Sequence, residues 1–254
     1  MISSGSIEST NKTTTMTTLI EKDSATMTLF AKSATGLAVI LALASCASVS
    51  VQKDAEQATP QMPQKIYVAD FGTAHGKFKV DREGTELVEF KQNLQGMMQT
   101  GLVTDLTHRL ISAAPTNLAQ GFQPENAWLI RGEFTKVNQG SRLLRGVVGF
   151  GAGGTKMETT VYVYDLNQNS NTPFLTFSTT GGSNAEPGAV TGGATDPLVA
   201  VIGIAASGAG GIAHGLTEDT ARTTREITAE LSDYMYRSGW ISKDKWIVPK
   251  SLSE

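Results

Sequence analysis

Apolar positions change their period along the chain, and each period predicts an element. Residues 66–71, Ile-Tyr-Val-Ala-Asp-Phe, are rich in β-formers and end at a glycine, which predicts a strand. A polar loop with three glycines follows at 72–85. Apolar residues then recur at intervals of three and four, which predicts one long amphipathic helix that Pro115 ends. Its apolar face comprises Leu87, Phe90, Leu94, Met97, Met98, Gly101, Leu102, Leu106, Leu110 and Ile111.

Alternation of apolar and polar residues predicts three further strands, at residues 128–137, 157–166 and 174–179. An Asn-rich turn of the kind that joins hairpins separates the last two strands. These neighbouring strands therefore predict an antiparallel meander.

The last periodic segment predicts a second main helix. Thr217 is a typical N-cap, and the acidic residues Glu218 and Asp219 suit a first turn. Its apolar face comprises Ala221, Ile227, Leu231, Tyr234 and Met235, and the helix stops near Gly239. This order of elements predicts a single α+β domain at residues 65–245, in which two main helices pack on one face of a largely antiparallel sheet.

The segment before this domain ends in the chain's only cysteine. An apolar run at 36–43 follows Lys32 and closes with Leu43-Ala44-Ser45-Cys46, the features of a secretory signal peptide. Small residues before a lone cysteine resemble the lipobox of bacterial lipoproteins, which implies that a diacylglyceryl group modifies Cys46. The alternatives are a cleaved signal with an incidental cysteine, or a membrane anchor. The anchor is disfavoured because a spanning helix needs roughly 20 apolar residues.

Residues 1–45 are therefore interpreted as a dispensable leader plus the lipoprotein signal peptide, with Met27 as the true start. Residues 46–64 are polar and predict a flexible tether closed by Pro60 and Pro63. The residue that follows the cysteine is Ala47 rather than Asp, which resembles lipoproteins that are sorted to the outer membrane. This resemblance implies anchoring at the periplasmic side of that membrane in a Gram-negative cell.

The cysteine count and the charge balance bear on disulfide formation and on nucleic-acid binding. Acylation of the only thiol would leave the mature chain without a disulfide. From Cys46 onward, 18 Lys plus Arg face 21 Asp plus Glu. So mild an acidity gives no support for nucleic-acid binding, which needs a concentrated basic surface.

A glycine-rich run at 140–153 leads into a strand that ends in Val163-Tyr164-Asp165. This run, with its Gly-Phe-Gly-Ala-Gly motif, resembles the signature of an uncharacterised bacterial lipoprotein family catalogued as domain of unknown function 4410. The resemblance covers roughly residues 65–240 and implies no established activity. The element order is also similar to the TolB amino-terminal domain and the curli-secretion channel lipoprotein, a likeness of fold alone.

The same glycines form Gly149-x-Gly151-x-x-Gly154, which fits the dinucleotide-binding pattern. A strand rather than a helix begins at Thr155, so we expect a turn and neither a nucleotide nor another cofactor. Exposed amides and cations in the Gly140–Lys156 loop give an alternative, an anion or partner site. That site would comprise Arg142, Arg145, Gly149, Phe150, Gly151 and Lys156. We favour a solvated basic loop beside Glu133 and Glu158.

Motifs for catalysis are incomplete, so we expect neither an enzyme nor a metal site. The three histidines, His75, His108 and His214, lie in separate segments, and we expect His108 to be partly buried on the long helix. Ser242-x-x-Lys245 lacks the companion motifs of penicillin-binding enzymes. Asp70 and Asp165 follow strands, where Asp usually serves a turn.

Residues 188–215 are rich in glycine and carry one charge, Asp196. Their densely apolar part, 198–206, is too short to span a membrane easily, although a spanning helix and a core segment remain open. We favour a mobile apolar insertion before the last helix, and whether it packs on its own domain, on a neighbouring protein or on a membrane stays open. Its candidate interface residues are Leu198, Val201, Ile202 and Ile204.

Two function classes follow. The first is a non-enzymatic envelope lipoprotein, tethered to the membrane through Cys46, that assembles with itself or with another envelope protein. The alternative is a monomeric module that binds an anionic lipid or glycan through the Gly140–Lys156 loop.

Overall fold

The computed structural model describes residues 49–58, 61–116, 126–140, 154–168, 171–183, 197–206 and 214–250. All of them belong to one compact unit, Cys46–Glu254. In chain order the elements are β1 (Val49–Glu56), β2 (Lys65–Val68), β3 (Lys77–Lys79), α1 (Gly84–Arg109), β4 (Ala113–Pro115), β5 (Ala127–Asn138), β6 (Thr155–Asp165), β7 (Leu175–Ser183), α2 (Pro197–Ala206) and α3 (His214–Arg237).

The seven strands form one mixed sheet. Its order is β1-β7-β6-β5-β2-β4, and β3 pairs with β5 beyond the end of β2. Strands β5, β6, β7 and β1 pair antiparallel, which confirms the predicted meander, whereas β2, β3 and β4 pair parallel. The expected α+β class with a largely antiparallel sheet is therefore confirmed.

One face of the sheet and the two long helices enclose the main core. Alternate residues of β5, β6 and β7 point into it and are buried, as their period of two requires. Phe71 lies over Gly132, where an added Cβ would come within 2.2 Å of the Phe71 ring. A glycine at that place therefore lets the aromatic ring fill the core.

Helix α1 buries the predicted apolar face but ends earlier than expected. Phe90, Leu94, Met98 and Leu102 are inaccessible to solvent or nearly so. The helix ends at Arg109, and Pro115 lies in β4 at the edge of the sheet, where its missing N–H costs no ladder bond. The prediction that Pro115 ends the helix is wrong, because the chain first turns at Leu110 to pair β4 with β2.

Helix α3 begins at His214, three residues before the predicted N-cap Thr217, which is itself buried. Buried hydroxyls on this helix bond back to its own carbonyls; Thr220 donates to Leu216 O at 2.7 Å, and Thr228 to Thr224 O at 2.9 Å. Such bonds satisfy polar groups that the surrounding elements enclose.

Gly239 ends α3 as predicted. It adopts a φ of 75°, a left-handed conformation that glycine accepts without strain. Its N–H donates to Tyr236 O at 2.9 Å, and the Trp240 N–H donates to Met235 O at 3.0 Å, the pair of bonds of a Schellman motif. This turn packs Trp240 against the buried Trp128 ring, at 5.9 Å between centroids.

The prediction of a flexible tether over 46–64 is wrong for Val49–Glu56, which form β1 on β7. Val51 is buried in the core, and its N–H donates to Lys250 O at 2.8 Å. Ile247 N–H likewise donates to Ser232 Oγ at 2.9 Å, so the fold extends past residue 245 as well. The polar composition of this segment indicates a spacer. Pairing with β7 and burial of Val51 stabilise it as a strand instead.

The prediction of a mobile insertion is wrong for residues 197–206, which form α2. Leu198 and Ile202 are buried in a second apolar cluster with Met97 and Ala221. Residues 188–196 and 207–213 lie outside the described residues. Helix α2 is therefore part of the helical layer, packed on α1 and α3.

Candidate functional site

The predicted anion site lies mostly outside the described residues. Only Lys156 is described; Arg142, Arg145, Gly149, Phe150 and Gly151 are not. Lys156 Nζ lies 2.6 Å from Glu158 Oε1, and Lys136 Nζ lies 3.8 Å from the same oxygen. Both cations therefore share one carboxylate at the point where β5 and β6 meet the loop.

Strand β3 brings two more lysines to this place. The register pairs Lys77 with Lys136 and Lys79 with Asn138, and Asn138 in turn pairs with Lys156. We call these four lysines, 77, 79, 136 and 156, the basic end of the sheet. Sequence reasoning missed β3 because it lies inside a glycine-containing polar loop, and its one signal is the alternation around Phe78, which packs against the core.

The amino-terminal start of the fold lies at this same end. Val49 pairs with Gly181, which pairs with Met157, which pairs with Val137. Cys46 itself lies outside the described residues. In the sequence it stands three residues before Val49, the first residue of β1.

The sheet surface opposite the helices carries aromatic and charged residues. Tyr162 and Tyr164 of β6 lie beside Arg131 of β5, whose guanidinium lies 5.3 Å from the Tyr164 ring centroid. Burial among its neighbours raises the pKa of Tyr162 above its ordinary value. We call Arg131, Tyr162 and Tyr164 the tyrosine face; Arg131 is exposed and both rings remain partly accessible.

The four candidate interface residues of α2 separate into two kinds. Leu198 and Ile202 are buried within this chain and cannot also face a partner, so the prediction is wrong for them. Val201 is half-buried, and Ile204 keeps 74% of its surface in solvent. Of the four, Ile204 presents the most surface to a neighbouring molecule.

Five charged side chains tie β1 to α3; we call Lys53, Glu56, Glu230, Asp233 and Arg237 the β1–α3 ion network. Lys53 Nζ lies 3.1 Å from Asp233 Oδ2 and 3.3 Å from Glu230 Oε2. Arg237 Nε lies 2.8 Å from Asp233 Oδ2, and the Arg237 guanidinium donates two bonds to Glu56. The network was not predicted, because Lys53 and Glu56 fell in the presumed tether.

The acids of this network titrate in opposite directions. The hydrogen bond from Arg237 lowers the pKa of Glu56. Burial raises the pKa of Glu230 more than nearby Lys53 lowers it. Asp233 is also desolvated, but donors from Arg237 and Lys53 outweigh that burial and lower its pKa. The ionised forms of Glu56 and Asp233 are thus stabilised, whereas the ionised form of the more deeply buried Glu230 is destabilised.

A family model described as Domain of unknown function (DUF4410) matches residues 66–197. The chain belongs to this family. The matched part of the DUF4410 protein runs from β2 to the first residue of α2, so it includes the basic end and the tyrosine face. Strand β1 and helix α3, which hold the ion network, lie outside it.

Two solved structures are similar in outline: a PelC dodecamer from Paraburkholderia phytofirmans and a dodecamer of a variant of that protein. The first is 9% identical and covers 69% of this chain and 97% of its own, with a TM-score of 0.30. The second is 10% identical and covers 68% and 96%, with a TM-score of 0.31. No curated protein sequence matches this DUF4410 chain at a significant level.

Chemically reactive groups in the described part of the DUF4410 protein are dispersed. Within those residues no three His, Cys, Asp or Glu side chains could hold a metal ion together. His108 is exposed on α1, so the expectation that it is partly buried is wrong. Buried Asp165 accepts a bond of 2.9 Å from the Asn167 N–H, which confirms its predicted role in a turn. Of the helices described, none is long and apolar enough to cross a membrane.

Proposed function

We propose that this DUF4410 protein is a non-enzymatic envelope lipoprotein: a membrane-tethered module that binds a protein partner or assembles with itself at the periplasmic face of the outer membrane. The observation that carries the proposal is the position of Cys46. The cysteine ends a lipobox-like sequence, and an ordered strand begins at Val49. A lipid on Cys46 would therefore attach the folded domain to a bilayer with almost no spacer.

The tyrosine face supports the binding part of the proposal. Tyrosine and arginine are the side chains that dominate the centres of protein interfaces, because they bury a large area and keep a polar tip. Arg131, Tyr162 and Tyr164 lie together on the side of the sheet away from α1 and α3. Enzymatic activity is not part of the proposal, because the sequence completes no nucleophile, metal or nucleotide motif.

The anchor is tested by Cys46→Ser in cells that are fed a fatty-acid probe. Because acylation requires the thiol, the variant should lose the label and leave the membrane fraction or accumulate as an uncleaved precursor. Equal labelling of the wild type and the variant would overturn the lipoprotein proposal.

Assembly is tested by light scattering on a soluble chain that starts at residue 46 with Cys46→Ser. A defined oligomer that Tyr162→Ala with Tyr164→Ala dissociates, and that the exposed α1 substitution Val88→Ala leaves intact, supports the interaction module. A clean monomer that binds anionic lipid or glycan only with Arg142 and Arg145 present would favour the alternative instead.

A further inference from the structure

The start of β1 and the basic end of the sheet lie at the same end of the fold. Two residues, Ala47 and Ser48, separate Cys46 from Val49, and three peptide steps span at most about 11 Å. Val49 pairs with Gly181, Gly181 with Met157, and Met157 with Val137. The start of β1 therefore lies in the same row of the sheet as Val137, next to the lysines.

Charge at this end is unbalanced toward positive. The paired rows 77–79, 136–138 and 156–158 contain four lysines and a single carboxylate, Glu158. Lys77 and Lys79 are exposed, and the side chains of Lys136 and Lys156 keep 45% and 41% of their surface. This local excess contrasts with the net acidity of the chain, which would otherwise repel an anionic surface.

We infer that the basic end docks on anionic phospholipid headgroups. The anchored domain then stands with strand β3, the first residues of β1, the last residues of β5 and the first residues of β6 toward the bilayer. The inference rests on the proposed function, because it needs the acyl anchor at Cys46. Once the anchor holds the domain at the surface, each lysine near anionic lipid strengthens contact by about fivefold. The short link from Cys46 to β1, together with the lysines, thus sets the orientation, and the opposite end, with Trp240 and Lys243, points into the periplasm.

The sole cysteine makes the orientation measurable without a cell. A mature chain that starts at Cys46 is coupled through its only thiol to a maleimide lipid, in vesicles of phosphatidylcholine with or without phosphatidylglycerol. A lysine-reactive ester then reports the accessibility of each lysine by mass spectrometry. Lys77, Lys79 and Lys156 should lose labelling on the anionic vesicles relative to the uncoupled chain, whereas Lys243 and Lys245 at the other end should not.

A matched pair of variants isolates the charge. Lys77→Glu with Lys79→Glu should weaken sedimentation of the uncoupled chain with anionic vesicles by more than about tenfold. The control Lys243→Glu with Lys245→Glu makes the same charge change at the other end and should leave sedimentation nearly unchanged. Lys77 and Lys79 lie on a short outer strand, and unfolding curves check that the fold survives in both variants.

Several results would overturn the inference. Protection of Lys243 and Lys245 would place the opposite end on the bilayer, and equal labelling of all lysines would mean that the domain stands clear of it. An equal loss of sedimentation in both double variants would mean that only net charge matters. Failure of the proposed function is a separate result, since it appears as absent fatty-acid labelling of Cys46 in cells and not in the vesicle assay.

Discussion

Thr155 Oγ1 donates a hydrogen bond of 2.6 Å to Asp219 Oδ2, with both side chains buried. Thr155 is the first residue of β6, and Asp219 lies in the second turn of α3. Burial raises the pKa of Asp219, although Thr155 and Arg222 act against that shift. The bond thus joins sheet and helix and partly offsets the desolvation of a carboxylate.

Thr155→Val should destabilise the protein by about 1–3 kcal/mol, because it removes a donor to a buried carboxylate while keeping the shape of the side chain. Thr155→Ser is the control that keeps the hydroxyl. Without the donor the folded pKa of Asp219 rises further, so the deficit of the valine variant should be largest when Asp219 is ionised and should shrink as the pH falls. Urea unfolding across pH measures this, and a deficit that is equal in Ser and Val variants would point to packing instead.

Most of the core was predictable because period alone decides which positions face inward. Every residue predicted on the α3 face, such as Ile227 and Leu231, is buried. Strand β1 was missed for the opposite reason: Val49 and Val51 are its only large apolar residues, and the rest of the segment is polar apart from Ala55. Its stability comes from pairing with β7 and from ion pairs to α3, and neither is visible without the partner elements.

Removing the first half of β1 should therefore destabilise the fold. A chain that starts at Lys53 loses Val51, which is 4% exposed, and the N–H that donates to Lys250 O. We expect a loss of at least about 1.5–3 kcal/mol from the valine alone relative to a chain that starts at Cys46. Val51→Ala, which keeps the backbone pairing, should melt between the two. Identical melting of all three would show that β1 contributes nothing.

Ile202 and Ile204 test the role of α2. Ile202 is fully buried, so Ile202→Ala should cost about 2–4 kcal/mol. Ile204 is 74% exposed, so Ile204→Ala should change stability by less than about 0.5 kcal/mol. Thermal unfolding with light scattering separates the effects: an oligomer that Ile204→Ala weakens at unchanged melting temperature would assign the outer side of α2 to assembly. Equal destabilisation by both would contradict the packing described.

Two glycines on α1 give a second test of the packing of α2 on α1. A Cβ at Gly101 would lie 2.8 Å from Ile202 Cδ1 and 2.9 Å from Thr224 Cγ2, whereas nothing lies within 4 Å at Gly96. Gly96→Ala should stabilise the helix by up to about 1 kcal/mol, the usual difference in helix propensity. Gly101→Ala gains the same propensity, but the side chains of Ile202 and Thr224 must shift to admit the new Cβ, so this variant should be less stable than Gly96→Ala. Equal gains, measured by urea midpoints, would mean that α2 yields freely.

The candidate site was less predictable than the core. The sequence indicates cations around the glycine-rich loop, but not that β3 adds Lys77 and Lys79 beside Lys136. Local composition marks residues 72–85 as a loop, and only the long β5, extending past β2, offers a partner for so short a strand. Contacts between segments distant in sequence, rather than local pattern, form the basic end.

The β1–α3 ion network predicts opposite pH dependence for two neighbouring acids. The pKa of Glu230 is raised by burial, so its contribution to stability is full at acid pH and is lost as the pH rises through the raised folded value. The pKa of Asp233 is lowered, because its bonds from Arg237 and Lys53 outweigh burial, so its contribution is present at neutral pH and is lost as the pH falls.

Glu230→Gln should therefore gain stability relative to the wild type as the pH rises from about 4 to 8. Asp233→Asn should lose about 1 kcal/mol at neutral pH, a modest figure because Lys53 and Arg237 keep over a third of their surface in water. That loss should disappear on acidification. Urea unfolding of both variants over this range measures the two slopes. If the stability difference between variant and wild type changed with pH in the same direction for both variants, Lys53 would stabilise the Glu230 charge fully. The burial of Glu230 would then not destabilise its ionised form.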